Sequence, residues 1–121
     1  MNLFDASALL VFLQDEPGAT IVEAHLNVGG AVSAVNWSEV AQKVLASEGN
    51  WPLARALLLS YDIAIEPVTG HDAERAAELW RRGDGRSLAD RLCLATRDRL
   101  DATVWTADTQ WGASEQVRQI R

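Results

Sequence analysis

Ser87-Leu-Ala-Asp-Arg-Leu-Cys-Leu-Ala-Thr-Arg-Asp-Arg-Leu-Asp-Ala-Thr-Val-Trp-Thr-Ala-Asp108 carries a helix, a turn and a strand in one run. Leu88, Leu92, Ala95 and Thr96 recur at helical spacing, while Arg91, Asp98 and Arg99 fall on the solvated side. Ser87 followed three residues later by Asp90 is a capping-box signature, so the helix starts there. Thr103-Val-Trp-Thr106 is β-prone and ends in Ala107-Asp108. One acid thus marks a helix start and another lies just past a strand end.

The rest of the chain repeats this alternation. Asn2-Leu-Phe4 precedes an apolar helical pattern from Ala6 to Leu13, with Asp5 placed as its N-cap. Pro17-Gly18 breaks that helix, and Thr20 to Val28 predicts a second, short one ending at Gly29-Gly30. Ala31 to Val35 reads as a buried strand, and Asn36 as the cap of a helix running to about Ser47, with Glu39 in its first turn. Trp51-Pro52 opens a helix through Leu59, Ile63-Ala-Ile65 a strand, and His71 to Arg82 a helix. Gly83-Asp84-Gly85 is a loop, and Val117 to Ile120 a last edge strand. Strands alternating with helices imply an α/β fold, a central and mostly parallel sheet with helices on both faces.

At 121 residues, the expectation is one domain spanning 1–121, with no repeat or linker. An apolar content of 48% excludes wholesale disorder, and no apolar run approaches the roughly 20 residues that cross a bilayer. The single cysteine, Cys93, excludes an internal disulfide and suits a reducing cytoplasm, where it reads as a buried, inert thiol. A net charge of −6 argues against nucleic-acid binding by general electrostatics, unless bound cations offset a local excess of carboxylates. Arginine supplies ten of the eleven basic residues, and Arg81, Arg82, Arg86, Arg91, Arg97 and Arg99 crowd together, either as a phosphate-facing patch or as solvated charges.

In a parallel sheet, helices that follow strands begin at the edge where ligands bind. Four acids fall at such junctions: Asp5, Glu39, Asp90 and Asp108. Any one of them is explained by helix capping, worth about 0.3–1 kcal/mol against the helix dipole. Four at one edge are not, because unneutralised carboxylates in a crevice repel one another. A divalent cation removes that cost. Carboxylates without cysteine or histidine partners select Mg²⁺ or Mn²⁺ over zinc, and such ions assist phosphodiester hydrolysis. His25 and His71 have no partner at metal spacing.

Four segments, Leu3-Phe-Asp-Ala-Ser-Ala-Leu9, Ser33-Ala-Val-Asn-Trp-Ser-Glu39, Ser87-Leu-Ala-Asp90 and Thr106-Ala-Asp108, together resemble the PIN-domain ribonucleases, specifically the VapC toxins of toxin–antitoxin pairs. The resemblance covers nearly the whole chain, in family order and spacing. It implies a PIN fold, Mg²⁺- or Mn²⁺-dependent endoribonuclease activity on RNA, a homodimer, and inhibition by a VapB-type antitoxin through which alone DNA is contacted. It assigns Asp5, Glu39, Asp90 and Asp108 the catalytic, metal-binding positions, and Ser7, Asn36, Ser87 and Thr106 the polar positions that support them. Arg86, Arg91 and Trp111 are candidates for RNA contact. The position after Asp108, often basic in relatives, is Thr109 here.

Trp80 and Trp105 are expected in the core and Trp51 at a helix start, whereas Trp37 and Trp111, flanking acidic motifs, are candidates to line the cleft or stack on a base. Two other classes fit the same layout: a phospho-acceptor signalling domain and a non-catalytic interaction module. The first needs a lysine near a strand end, and the only lysine, Lys43, is expected mid-helix.

Overall fold

A computed structural model describes all residues, 1–121. Its elements are β1 (Asn2–Phe4), α1 (Ala6–Leu13), α2 (Ala19–Val28), β2 (Gly30–Ser33), α3 (Ala34–Ala46), α4 (Trp51–Leu59), β3 (Ile63–Glu66), α5 (Gly70–Glu78), α6 (Leu88–Leu100), β4 (Thr103–Thr106) and β5 (Val117–Gln119). The five strands form one sheet in the order β3-β2-β1-β4-β5. Every pairing is parallel, with Leu3 opposite both Ala31 and Val104.

Strand periodicity of two sorts the core between the sheet's faces. Phe4, Val32 and Ile63 point to one face, where Leu9 of α1, Val22 and Leu26 of α2, and Val40 of α3 cover them. Leu3, Ala31, Val104 and Val117 point to the other, beneath Cys93 and Leu94 of α6. Helices therefore lie on both faces, and the inner strands β1 and β2 bury both of their sides, as parallel strands do, while the edge strands β3 and β5 keep one side partly exposed. Close approach of the strands fixes one residue type: a Cβ on Gly30 would meet the Asn2 carbonyl oxygen at 2.3 Å. No helix is long and apolar enough to cross a membrane.

Strand order reverses at β1. The chain steps from β1 to β2 to β3 on one side, then α5 and α6 carry it back across the sheet to β4 and β5. The β1–β4 boundary is therefore the topological switch point, and the crevice beyond the carboxyl ends of these strands is the place for a ligand. This order differs from the 2-1-3-4-5 of flavodoxin-like and phospho-acceptor sheets, which sets that class aside on topology.

Several sequence expectations shift. The second strand ends at Ser33, not Val35, and Ser33 rather than Asn36 caps α3, its hydroxyl accepting from the Val35 N–H at 3.2 Å. Glu39 consequently lies in the second turn of α3, not the first. Val35 turns helical because it packs against Ala76, Leu92 and Ala95 between α5 and α6. The fifth helix stops at Glu78, short of Arg82, and leaves Trp80 51% exposed under the Arg82 guanidinium instead of in the core. Trp105 is half-buried, stacked on His25 with 3.7 Å between ring centres.

Candidate active site

Asp5 follows β1 directly, and its backbone N–H donates to the Trp105 carbonyl of β4 at 3.2 Å. This places the side chain at the switch point, 4% exposed. One carboxylate oxygen, Oδ1, accepts from the Ala8 N–H at 2.9 Å, capping α1, and from the Ser7 hydroxyl at 2.7 Å. The other, Oδ2, accepts from the Thr106 hydroxyl at 2.6 Å. The same two hydroxyls accept backbone N–H groups past β4, Ser7 from Ala107 at 2.8 Å and Thr106 from Asp108 at 3.0 Å. Ser7 and Thr106 thus lock the ends of β1 and β4 around one carboxylate. Burial pushes the Asp5 carboxyl from the ordinary 3.8 up to about 6, against the hydrogen bonds from Thr106, Ala8 and Ser7, and the nearby charge of Asp90 pushes the same way.

The other three acids each spend one oxygen on local structure and leave one without a protein partner. Asp90 sits in the first turn of α6, where Ser87 Oγ accepts the Asp90 N–H at 3.1 Å and Asp90 Oδ2 accepts the Ser87 N–H at 3.0 Å, the reciprocal capping box. Asp108 Oδ1 accepts the Gln110 N–H at 2.9 Å and opens a 3₁₀ turn over Thr109–Trp111. Glu39 Oε1 accepts Asn36 Nδ2 at 2.7 Å. Asn36 is itself buried, and its Oδ1 has no partner in the protein. Glu39 Oε2, Asp90 Oδ1 and Asp108 Oδ2 are the oxygens left over.

All four acids line one pocket of about 260 Å³, together with Ser7, Asn36 and Lys43. A larger cavity of about 420 Å³ lies at the opposite, amino-terminal edge of the sheet, with Asp62 as its single acid. Carboxylate content, not volume, therefore selects the smaller one. No three of these acids stand close enough to be a ready-made ligand cluster. The donor set is nevertheless all oxygen, with unpaired carboxylate oxygens and a buried orphan carbonyl at its wall, which fits a hard cation that keeps most of its own waters. A zinc site is excluded by chemistry: no histidine lines the pocket, and burial pushes the Cys93 thiol far above its ordinary value.

The candidate RNA contacts fare differently. Trp111 is 7% exposed in the core face beneath α6 and unavailable for base stacking. Arg91 is committed to the Ala76 carbonyl at 3.0 Å with its Nε buried, so it ties α6 to α5. Arg86 does not line the pocket. Trp37 packs edge-on against Trp51, 5.3 Å between ring centres, on the core side of α3. The arginine cluster is largely spent internally: Arg81 binds the Glu78 and Trp80 carbonyls, Arg97 pairs with Asp98, and Arg99 with Asp72 and Glu66. Lys43 is the residue that sequence reasoning passed over. Its signal was its spacing, one helical turn beyond Glu39, which puts both on one face.

Two solved structures share this architecture. A toxin–antitoxin complex from Klebsiella pneumoniae is 22% identical, covers 100% of this chain and 98% of its own, and superposes with a TM-score of 0.80. VapC20 of Mycobacterium tuberculosis, described as a sarcin–ricin loop cleaving toxin, is 19% identical over 95% of this chain and 98% of its own, with a TM-score of 0.73. A comparison with curated protein sequences finds no match. Residues 3–114 match the PIN domain model. That match spans the switch point and all four acids, and the chain belongs to the PIN domain family.

Proposed function

We propose that this chain, taken as one working domain, is a VapC-type toxin: an endoribonuclease that hydrolyses RNA phosphodiester bonds with Mg²⁺ or Mn²⁺. The observation that carries this reading is the convergence of Asp5, Glu39, Asp90 and Asp108 on one pocket at the switch point. Support comes from PIN membership and from the toxins named among the structural neighbours. When bound, a divalent ion supplies a more acidic water and charge neutralisation at the phosphate. The chain's own residues prepare the place. Ser7, Thr106 and the Ala8 N–H fix both oxygens of Asp5, Asn36 holds Glu39, and the capping box holds Asp90, so three of the four acids that line the cavity are ordered by the protein itself. The N-termini of α1 and α6 at the same edge favour the substrate phosphate. The remaining parts of the reading are a homodimer, a cytoplasmic location, and inhibition by a VapB-type antitoxin that alone contacts DNA.

The test is cleavage of cellular RNA by purified, partner-free protein. Cleavage is expected with Mg²⁺ or Mn²⁺, EDTA abolishes it, and Asp5→Asn removes both cleavage and growth inhibition while the circular dichroism spectrum is kept. Undiminished cleavage by that variant overturns the site.

A further inference from the structure

One cation lines the acid pocket. Lys43 lies on the same face of α3 as Asn36 and Glu39, at spacings of seven and four residues. Four carboxylates and one ammonium leave that pocket strongly negative, hostile to a polyanion except where cations sit. A second groove of about 410 Å³ adjoins it and shares Ser7, Leu10, Lys43 and Asp108, so Lys43 stands where the two meet. The groove then continues past Gln14 to Glu16 and Arg121. Two acids and two bases make its wall balanced where the pocket is not, and Leu10 and Val11 give it an apolar stretch.

Lys43 is also free. Arg75, Arg97, Arg99 and Arg121 all have carboxylate partners, the last with Glu16 at 3.6 Å. Lys43 has none within ion-pair distance, although Glu39 precedes it by four residues, the arrangement that favours a helical pair. Glu39 is instead held by Asn36. An unpaired ammonium on a flexible stem at the mouth of an acidic pocket is suited to a phosphate as a point charge. Of the clustered arginines, Arg81, Arg91, Arg97 and Arg99 are engaged elsewhere, and Arg82 and Arg86 line neither the pocket nor the groove.

We propose that Lys43 and the groove from Leu10 to Arg121 hold the backbone of a single-stranded RNA segment on one side of the cleaved bond, with the Lys43 ammonium on the phosphate next to the reacting one. This rests on the endoribonuclease reading of the acid pocket. The groove supplies what the acids lack: a cationic contact at the exit of the pocket and an apolar wall against which ribose and base can lie.

Binding of a mixed-sequence RNA of about 12 nucleotides tests this in Mg²⁺ across a salt series, with Asp5→Asn in every protein compared so that the probe is not cleaved. Lys43→Ala is expected to weaken Kd roughly 5- to 20-fold and to lower the slope of log Kd against log salt by about 0.7, the counterion share of one single-strand phosphate. Lys43→Arg should restore most of the affinity, and Arg121→Ala should show a smaller loss. Unchanged Kd and slope in Lys43→Ala overturn the assignment. So does a normal Kd for Lys43→Ala together with lost turnover when Asp5 is intact, because Lys43 would then act at the reacting phosphate itself. If the probe binds in a Lys43-dependent way yet wild-type protein cleaves no RNA, the nuclease reading fails while the groove stands.

Discussion

At the scale of single residues, Asp5 is where the proposed function works against stability. Its native carboxyl titrates near 6 against an ordinary 3.8, chiefly because burial disfavours the charge. A raised native value means the folded state holds its proton more tightly than the unfolded state. The associated stability is full below pH 4, declines as pH rises, and is gone above 6. Two pH units correspond to about 3 kcal/mol. Asp5→Asn keeps the acceptor for Ser7 and Ala8 and removes the buried charge. In metal-free buffer at pH 8 it should be more stable than wild type by roughly 1–2 kcal/mol, part of that figure. The gap should close by pH 4, where wild-type Asp5 is neutral as well. Urea denaturation of both proteins at the two pH values measures this, and equal stability at pH 8 would show that the hydrogen bonds fully offset burial. Asp90 poses the complementary question, because its capping box explains its presence without any chemistry. Asparagine preserves a capping acceptor, so Asp90→Asn should cost under about 0.5 kcal/mol while cleavage falls by more than about 100-fold. A variant that keeps its activity would reduce Asp90 to a helix cap.

At the scale of elements, the acids were legible in the sequence and their supports only partly so. Asp5, Asp90 and Asp108 were readable because strand ends and caps follow local rules that one short segment satisfies. The sequence puts Glu39 one turn too early: Ser33 and Asn36 are both good caps, and β-branched Val35 favours a strand until it can pack between α5 and α6. Trp80 and Trp111 exchanged expectations for the same reason, since the burial of a large ring is decided by which helix crosses it and not by its neighbours in sequence. Arg99 was read as a surface charge, yet it is the tie between α6 and the start of α5. Its guanidinium donates to both oxygens of fully buried Asp72, at 2.9 and 3.1 Å, and to the Pro67 carbonyl at 3.3 Å. Burial pushes the Asp72 carboxyl up, but the Arg99 hydrogen bonds and charge and the Thr69 backbone outweigh it and hold the group below its ordinary value. Arg99→Ala strands that carboxylate and should cost about 2–4 kcal/mol, seen as a lower urea midpoint at unchanged slope. Because the shift is downward, the pair stabilises above the unfolded pKa and loses its effect as pH falls through the native one. The penalty should therefore shrink in acid.

At the scale of the whole molecule, the fold brings four of the chain's seventeen acids to the place where strand order reverses. The sheet topology was legible as a class, since alternation alone gives a parallel sheet, but the order β3-β2-β1-β4-β5 was not. That order depends on α5 and α6 carrying the chain back over the sheet, a non-local choice. It is also what makes β1 and β4 neighbours and brings Asp5 within reach of Thr106. A pocket so built is a ligand reservoir for stability. A cation that binds only the folded chain stabilises it by about 2.7 kcal/mol at a hundredfold over its Kd, which for a domain of this size is roughly 8–15 °C in melting temperature. Mn²⁺ should therefore raise the melting temperature of the wild-type protein at pH 8 and leave Asp5→Asn nearly unmoved. At pH 5 the same Mn²⁺ must displace the proton that Asp5 holds, so the wild-type shift should collapse as pH falls through about 6. Melting curves with and without Mn²⁺ at the two pH values read this without any RNA. A shift that is equal in wild type and Asp5→Asn, or indifferent to pH, would place the cation somewhere other than the switch point and overturn the metal-binding role proposed for the four acids.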